Sequence, residues 1–164
     1  MARKSGIFAG IIMLIITFIY KIPTFFIPNV DIHFTMFTYD YIDYCLWGYG
    51  SFNSGYSSII LSYPESYATI LIFLIAVFIG VISIMASTSK ANILHSLVLY
   101  RLNIILIVLL LMIYGILAIF LNLNDIISVL IPNFGVLGLG YYLLILVLIL
   151  NIIAMKKLKN LIQD

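Results

Sequence analysis

The segment that decides the fold is residues 29–66, and its centre reads Tyr41-Ile42-Asp43-Tyr44-Cys45-Leu46-Trp47-Gly48-Tyr49-Gly50. It is the only long segment that has neither the uniform hydrophobicity of a membrane helix nor the length of a short connector. On both sides of it the sequence is dominated by apolar runs. We therefore expect any specific recognition by this protein to involve residues 29–66.

The composition is that of an integral membrane protein. Hydrophobic residues make up 65% of the 164 residues, charged residues make up 9%, and the mean hydropathy is +1.25. Soluble domains carry about 25% charged residues. The composition thus excludes a soluble domain and indicates one membrane domain over residues 1–164, with room for four spans of about 20 residues and one sizeable loop.

Four membrane spans are predicted, at about residues 6–27, 67–87, 102–122 and 134–155. The first has the charged start of a signal peptide but no convincing cleavage site, so we expect it to be retained. Its uncharged run is short, and we expect the helix to continue past Lys21, whose ammonium group can snorkel to the interface. The connection from Thr88 to Tyr100 is interpreted as an extension of the third helix.

The basic residues predict the orientation, because Lys and Arg are retained on the cytoplasmic side during insertion. Seven of them fall on one side of the predicted topology: Arg3, Lys4, Lys90, Arg101, Lys156, Lys157 and Lys159. The opposite loops hold five acids: Asp31, Asp40, Asp43, Glu65 and Asp125. We therefore expect a multi-pass plasma-membrane protein with both termini in the cytoplasm and residues 29–66 outside.

Within the external loop, residues 31–47 are rich in residue types that favour strands. Alternation predicts one strand face formed by Ile32, Phe34 and Met36. Residues 52–56 are predicted to form a hairpin turn, and residues 56–61 the returning strand. The predicted fold class is all-α membrane: a four-transmembrane-helix bundle with a small antiparallel β-sheet in the first extracellular loop.

A Leu-Trp pair, Leu46-Trp47, lies inside this loop. Together with the four spans, the cytoplasmic termini and the shorter second external loop, it resembles the claudin and peripheral-myelin-protein-like superfamily, including the fungal cortical-patch membrane proteins. Cys45 stands where that family has the glycine of a Gly-Leu-Trp motif, and the family's following cysteine pair is missing. The resemblance implies a membrane-organising or cell-contact protein that self-associates through its external sheet and helices.

Two sets of residues are candidate contact sites. Aromatic and apolar side chains of the loop are predicted to bind a partner, or alternatively to pack the sheet on the membrane interface as an aromatic belt: Tyr39, Tyr41, Tyr44, Leu46, Trp47 and Tyr49. Small residues are predicted to let helices approach closely: Gly6, Gly10, Ala76, Gly80, Gly115 and Gly138. Asn103 and Asn151 lie at similar depth and could hydrogen-bond across helices.

No catalytic set is recognisable, so the prediction is a non-enzyme without cofactor, metal or nucleic-acid partner. His33 and His95 fall on opposite sides and cannot share one metal or haem. The acids of the loop could hold a hard cation, but a solvated acidic surface is the expected reading. Cys45 is expected to be a buried small hydrophobe, with pairing between two chains as the alternative.

Three functional hypotheses remain. Membrane lipids and a second copy of the chain, or other membrane proteins, are the expected partners of a claudin-like protein. The alternative is a small accessory subunit of a larger membrane complex, such as a respiratory or transport assembly. A pore or small-solute transporter is less well supported, because the spans offer almost no polar lining.

Overall fold

The structure, a computed structural model, describes residues 4–19, 33–39, 42–46, 49–51, 65–88, 93–121 and 137–163. These residues form four helices, α1 (Lys4–Phe18), α2 (Glu65–Thr88), α3 (Ile93–Leu121) and α4 (Leu139–Gln163). They also form three short strands, β1 (Phe37–Tyr39), β2 (Ile42–Tyr44) and β3 (Tyr49–Ser51). Three of the helices, α2, α3 and α4, are long and apolar enough to cross a membrane. The prediction of a mostly helical protein with long apolar helices and a small antiparallel sheet is thus confirmed.

The first helix is shorter than the sequence predicts. α1 has 15 residues and Ile19 is no longer helical, so its length is about 22 Å against a hydrocarbon core of about 30 Å. A first membrane span over residues 6–27 is therefore not supported, and residues 20–27 lie outside the described part of the chain. The rings of Phe18 and Phe73 make an edge-to-face contact, with centroids 5.5 Å apart. The last residue of α1 therefore lies level with Phe73, which is about 12 Å along α2 from its first residue, Glu65.

The other helices differ from the predicted spans mainly at their ends. α3 begins at Ile93, which confirms that the connection after α2 contributes turns to the third helix. α4 begins at Leu139 and continues to Gln163, whereas the prediction placed this span at residues 134–155. The lysines that follow the predicted span are thus helical, and their positions are fixed relative to the rest of α4.

The four helices pack in a ring, with α1 against α2 and α4, and α3 against the same two helices. At one end of the ring, Gly6 of α1 faces Ser87 of α2 and Tyr100 of α3. Leu158 of α4 joins a buried cluster with Tyr100 at the same end. We call this the basic end, because all the described lysine and arginine side chains are exposed there: Lys4, Arg101, Lys156, Lys157 and Lys159.

The three strands form an antiparallel sheet in the order β1-β2-β3. Tyr39 pairs with Ile42, so only Asp40 and Tyr41 separate the first two strands. Tyr44 pairs with Tyr49 in the second pairing. β1 and β2 both lie within residues 31–47, the region whose residue types favour strands, and the chain reverses direction between them. The predicted turn at residues 52–56 and the strand at 56–61 lie outside the described residues.

Candidate functional site

Residues 33–46, here called the sheet segment, are built into the end of the helix ring opposite the basic end. The backbone N–H of Gly138 donates to the carbonyl oxygen of Met36 at 3.0 Å, and that of Gly140 donates to Thr35 at 2.7 Å. The hydroxyl of Tyr114 on α3 donates to the carbonyl oxygen of Leu46 at 2.9 Å. Both ends of the sheet segment are thereby fastened to helices.

The sheet segment also supplies part of the hydrophobic core. Phe34, Met36, Phe37 and Leu46 are buried in one cluster with residues of all four helices. Because α1 does not extend as far towards the sheet end as α2 does, these side chains complete the hydrophobic core at that end. A three-residue strand pairing is marginal by itself, so the helices stabilise this sheet.

The residues predicted to bind a partner differ in how far they are buried by this packing. Tyr44 is half-buried and stacks on its cross-strand neighbour Phe37, with ring centroids 4.5 Å apart and an interplanar angle of 11°. Tyr39 is also half-buried against the core. Leu46 is only 1% exposed, so its side chain belongs to the protein interior. Tyr41 and Trp47, and the side chain of Tyr49, lie outside what the structure describes.

The sequence suggested that Asp43 belongs to a solvated acidic surface. In the structure Asp43 is instead buried, in the middle of β2. Its Oδ1 accepts a hydrogen bond from Thr38 Oγ1 at 3.0 Å on the paired strand. Its Oδ2 lies 3.3 Å from His33 Nδ1. A buried carboxylate needs such partners to offset its desolvation. The contact with Asp43 holds His33, the first residue of the sheet segment, against β2.

Cys45 is a buried free cysteine, as expected from the sequence. Burial, and secondarily the charge of Asp43, raises the pKa of the Cys45 thiol to about 12. The thiolate is the reactive form of cysteine. At neutral pH this side chain therefore behaves as a small apolar group.

A polar cluster lies inside the helix ring toward the basic end and consists of Ser83, Ser87, Tyr100, Asn103 and Asn151. Asn103 Nδ2 donates to Ser83 Oγ at 2.6 Å and to the carbonyl oxygen of Ile79 at 3.0 Å. Ser83 Oγ in turn donates to Asn151 Oδ1 at 3.0 Å. The cluster thus joins α2, α3 and α4 by side-chain hydrogen bonds within the apolar bundle.

A second branch of the polar cluster reaches Tyr100. Ser87 Oγ donates to the carbonyl oxygen of Ser83 at 2.5 Å and lies 2.6 Å from the hydroxyl of Tyr100. Since the single hydroxyl proton of Ser87 is used in the first bond, Tyr100 is the donor in the second. All five members of the cluster are at most 2% exposed.

The hydrogen bond expected between Asn103 and Asn151 is present, since Asn103 Nδ2 donates to Asn151 Oδ1 at 3.5 Å. Ser83 adds a shorter bridge between them, and this residue was not among the predicted ones. The available signal was a serine within an otherwise apolar run, at the same depth as two asparagines of other helices. Asn103 Oδ1 has no hydrogen-bond partner among the described residues.

No protein family, curated protein or solved structure matches the chain.

The predicted small residues other than Gly138 lie inside the helix bundle. Gly10 and Gly80 face each other where α1 crosses α2, since a Cβ on Gly10 would lie 2.6 Å from the Gly80 carbonyl oxygen. Ala76 is fully buried in the main core. Gly115 faces the hydroxyl of Tyr141, and Gly138 faces the backbone of Thr35. Gly6 contacts the polar cluster as described above. Gly138 thus serves the sheet rather than a helix pair.

The predicted topology-setting residues divide according to what the structure describes. Lys4, Arg101, Lys156, Lys157 and Lys159 are exposed at the basic end, whereas Arg3 and Lys90 lie outside the described residues. His95 lies in the first turn of α3 at the basic end, and His33 lies at the sheet end. The two histidines are therefore far apart. Groups of three or more metal-ligating side chains are absent from the described residues.

Proposed function

We propose that this protein is a non-enzymatic, claudin-like membrane-organising protein that associates with further copies through its sheet and helices, side by side or between cells. The observation that carries the proposal is the attachment of the sheet segment to α3 and α4 through Leu46, Met36 and Thr35. A sheet held in this way moves with the helices as one body.

Rigid attachment matters for association because ordering a mobile loop costs free energy on binding. Immobilising one rotamer-rich side chain at an interface costs about 0.5–1.5 kcal/mol. The sheet is already ordered by its core residues Phe37 and Leu46. The surface of the sheet that faces away from the helices is thus presented in a fixed orientation, as lateral assembly requires.

The proposed topology has four spans, cytoplasmic termini and an extracellular sheet in the plasma membrane. It is supported by the ring packing of α1 with α2 and α4, which gives α1 the position of a fourth bundle helix. It is supported also by the exposed cations at one end and the sheet at the other.

The test is the oligomeric state in lipid. The full chain carrying one fluorophore is reconstituted at low density in vesicles, and the number of copies per particle is counted by single-molecule photobleaching. We expect multiple copies for the intact protein and mostly single copies for Trp47→Ala. The matched control is Phe120→Ala, which removes a ring that is 73% exposed on α3 and leaves the sheet intact.

Four other outcomes argue against association through the sheet. Single copies of the intact protein, or oligomers unchanged by Trp47→Ala, contradict association through the sheet. Loss of oligomers only in Phe120→Ala points to the helix faces instead. Purification with a different protein at fixed stoichiometry in both variants favours the accessory-subunit hypothesis.

A further inference from the structure

On three helices an exposed apolar stripe ends in a cation at the basic end. The stripe of α4 is the clearest, because the same helix face changes from apolar to basic within one turn: Leu146, Ile149, Ile153 and Lys157. Their spacing of three or four residues places these side chains above one another on one face. The next lysine, Lys156, is exposed beside it.

The same pattern occurs on α1 and α3. On α1 the exposed face reads Lys4, Phe8, Ile11 and Ile15. On α3 it reads Arg101, Ile105, Leu109 and Met112. Each cation lies at the basic end of its own stripe, although the chain runs away from that end along α1 and α3 and towards it along α4.

Each stripe is long enough to cover one leaflet of a bilayer. The cation of each stripe and the named residue farthest from it are eleven positions apart, which corresponds to about 16 Å of helix, and exposed apolar residues continue beyond it, such as Phe18 on α1 and Ile116 on α3. Half of a hydrocarbon core of about 30 Å is about 15 Å. An acyl chain can therefore lie along each stripe while its headgroup reaches the cation.

The charged residues that the structure describes at this end are all basic. The described acidic residues, Asp43 and Glu65, both lie at the sheet end, where Asp43 is buried and Glu65 starts α2. Among the described residues nothing at the basic end neutralises Lys4, Arg101 or Lys157. Cations near a membrane surface attract anionic lipid by about 1 kcal/mol each, whereas zwitterionic lipid gains little.

We infer that α1, α3 and α4 form a binding surface for anionic phospholipids of one leaflet. The phosphate group pairs with Lys4, Arg101 or Lys157, and the acyl chains cover the stripe of the same helix. An aqueous protein partner fits this surface less well, because the apolar stripes continue without a break into the membrane-spanning part of each helix. The inference is independent of whether the sheet mediates association.

The test compares two lipids with identical acyl chains, phosphatidylglycerol and phosphatidylcholine, by native mass spectrometry of the full chain in detergent micelles containing both at equal amounts. We expect the intact protein to retain phosphatidylglycerol preferentially, by about five-fold per cation. The variant Lys4→Gln/Arg101→Gln/Lys157→Gln is expected to lose this preference. Circular dichroism shows whether each variant remains helical.

Two matched variants isolate the role of charge. Lys4→Arg/Arg101→Lys/Lys157→Arg keeps the cations and is expected to keep the preference, which a general loss of folding would not allow. Glu65→Gln makes the protein more positive, as adding a cation would, but at the sheet end. This variant is expected to leave the lipid preference unchanged. A third arm offers glycerol 3-phosphate, which has the headgroup charge without acyl chains, and we expect no retention.

Equal retention of the two phospholipids by the intact protein overturns the inference. So does a preference that survives neutralisation of the three cations, or one that is lost in the charge-keeping variant. Retention of glycerol 3-phosphate at the level of the lipid would show a phosphate site without a lipid surface, and overturns it as well.

Discussion

Replacement of Gly10 by alanine tests how closely α1 and α2 must approach. A Cβ at this position would lie 2.6 Å from the carbonyl oxygen of Gly80 and 2.5 Å from Ile84 Cγ1, whereas ordinary contacts begin at 3.4 Å. Because the first contact is with backbone, the two helices must separate by roughly 0.8 Å, and such a gap forfeits a quarter to a half of each dispersion contact along the interface.

The expected cost follows from two opposing effects. Overpacking a well-packed interior costs about 1–3 kcal/mol, and alanine is better than glycine in a helix by up to about 1 kcal/mol. We therefore expect Gly10→Ala to lower the free energy of unfolding by about 1–2 kcal/mol. The measurement is reversible unfolding in mixed micelles, titrated with SDS and followed by far-UV circular dichroism.

Gly115→Ala is the matched control, because its Cβ would meet only the hydroxyl end of Tyr141, at 3.0 Å. A flexible side chain yields more readily than a backbone, so here the helix-propensity gain offsets the contact and we expect a change within about 0.5 kcal/mol. If Gly10→Ala unfolds at the same SDS fraction as Gly115→Ala, the close approach of α1 and α2 does not stabilise the protein and the reasoning is refuted.

Three further predictions concern hydrogen bonds and the thiol. Ser83→Ala and Asn103→Ala should each cost about 0.6–1.7 kcal/mol in the same titration, and the double variant should cost less than the sum because the two side chains share a bond of 2.6 Å; full additivity would contradict the bridge. Tyr114→Phe removes the bond to Leu46 and should raise hydrogen exchange in residues 42–46 while leaving α2 unchanged, and equal exchange in both proteins would argue against the fastening. The raised pKa of Cys45, about 12, means that its thiol stays protonated at pH 8, so maleimide should label the folded protein roughly a hundred-fold or more slower than the SDS-denatured chain; comparable rates would contradict its burial.

Hydropathy and charge were sufficient to predict α2, α3 and α4 and the gathering of the described cations at one end. Both signals are local, since a membrane helix is defined by an uninterrupted apolar run and its orientation by flanking Lys and Arg. The end of α1 was not predicted, because apolar residues continue past Phe18 in the sequence. Its shortness is tied to the sheet segment, which supplies core side chains at the same end.

The position of the strands could not be read from residue type alone. The two residues between β1 and β2, Asp40 and Tyr41, contain no glycine or asparagine, which are the strongest signals for a tight hairpin. The burial of Asp43 could not be predicted from the sequence either. It depends on Thr38, which strand pairing brings beside Asp43, and on His33, which precedes β1 in the chain. The Ser83 bridge depends on three helices meeting at one depth, a relation that no single stretch of sequence contains.

The fastening of the sheet segment to α4 imposes an order on biosynthesis. Thr35 and Met36 bond to Gly140 and Gly138, about a hundred residues later in the chain, and contacts of such separation form late. While α2 and α3 are being inserted, the N–H groups of Gly138 and Gly140 are not yet present to donate to the carbonyl oxygens of Met36 and Thr35. A chain arrested before α4 should therefore expose the sheet segment to proteases and chaperones, and it should become resistant only when the last helix is complete.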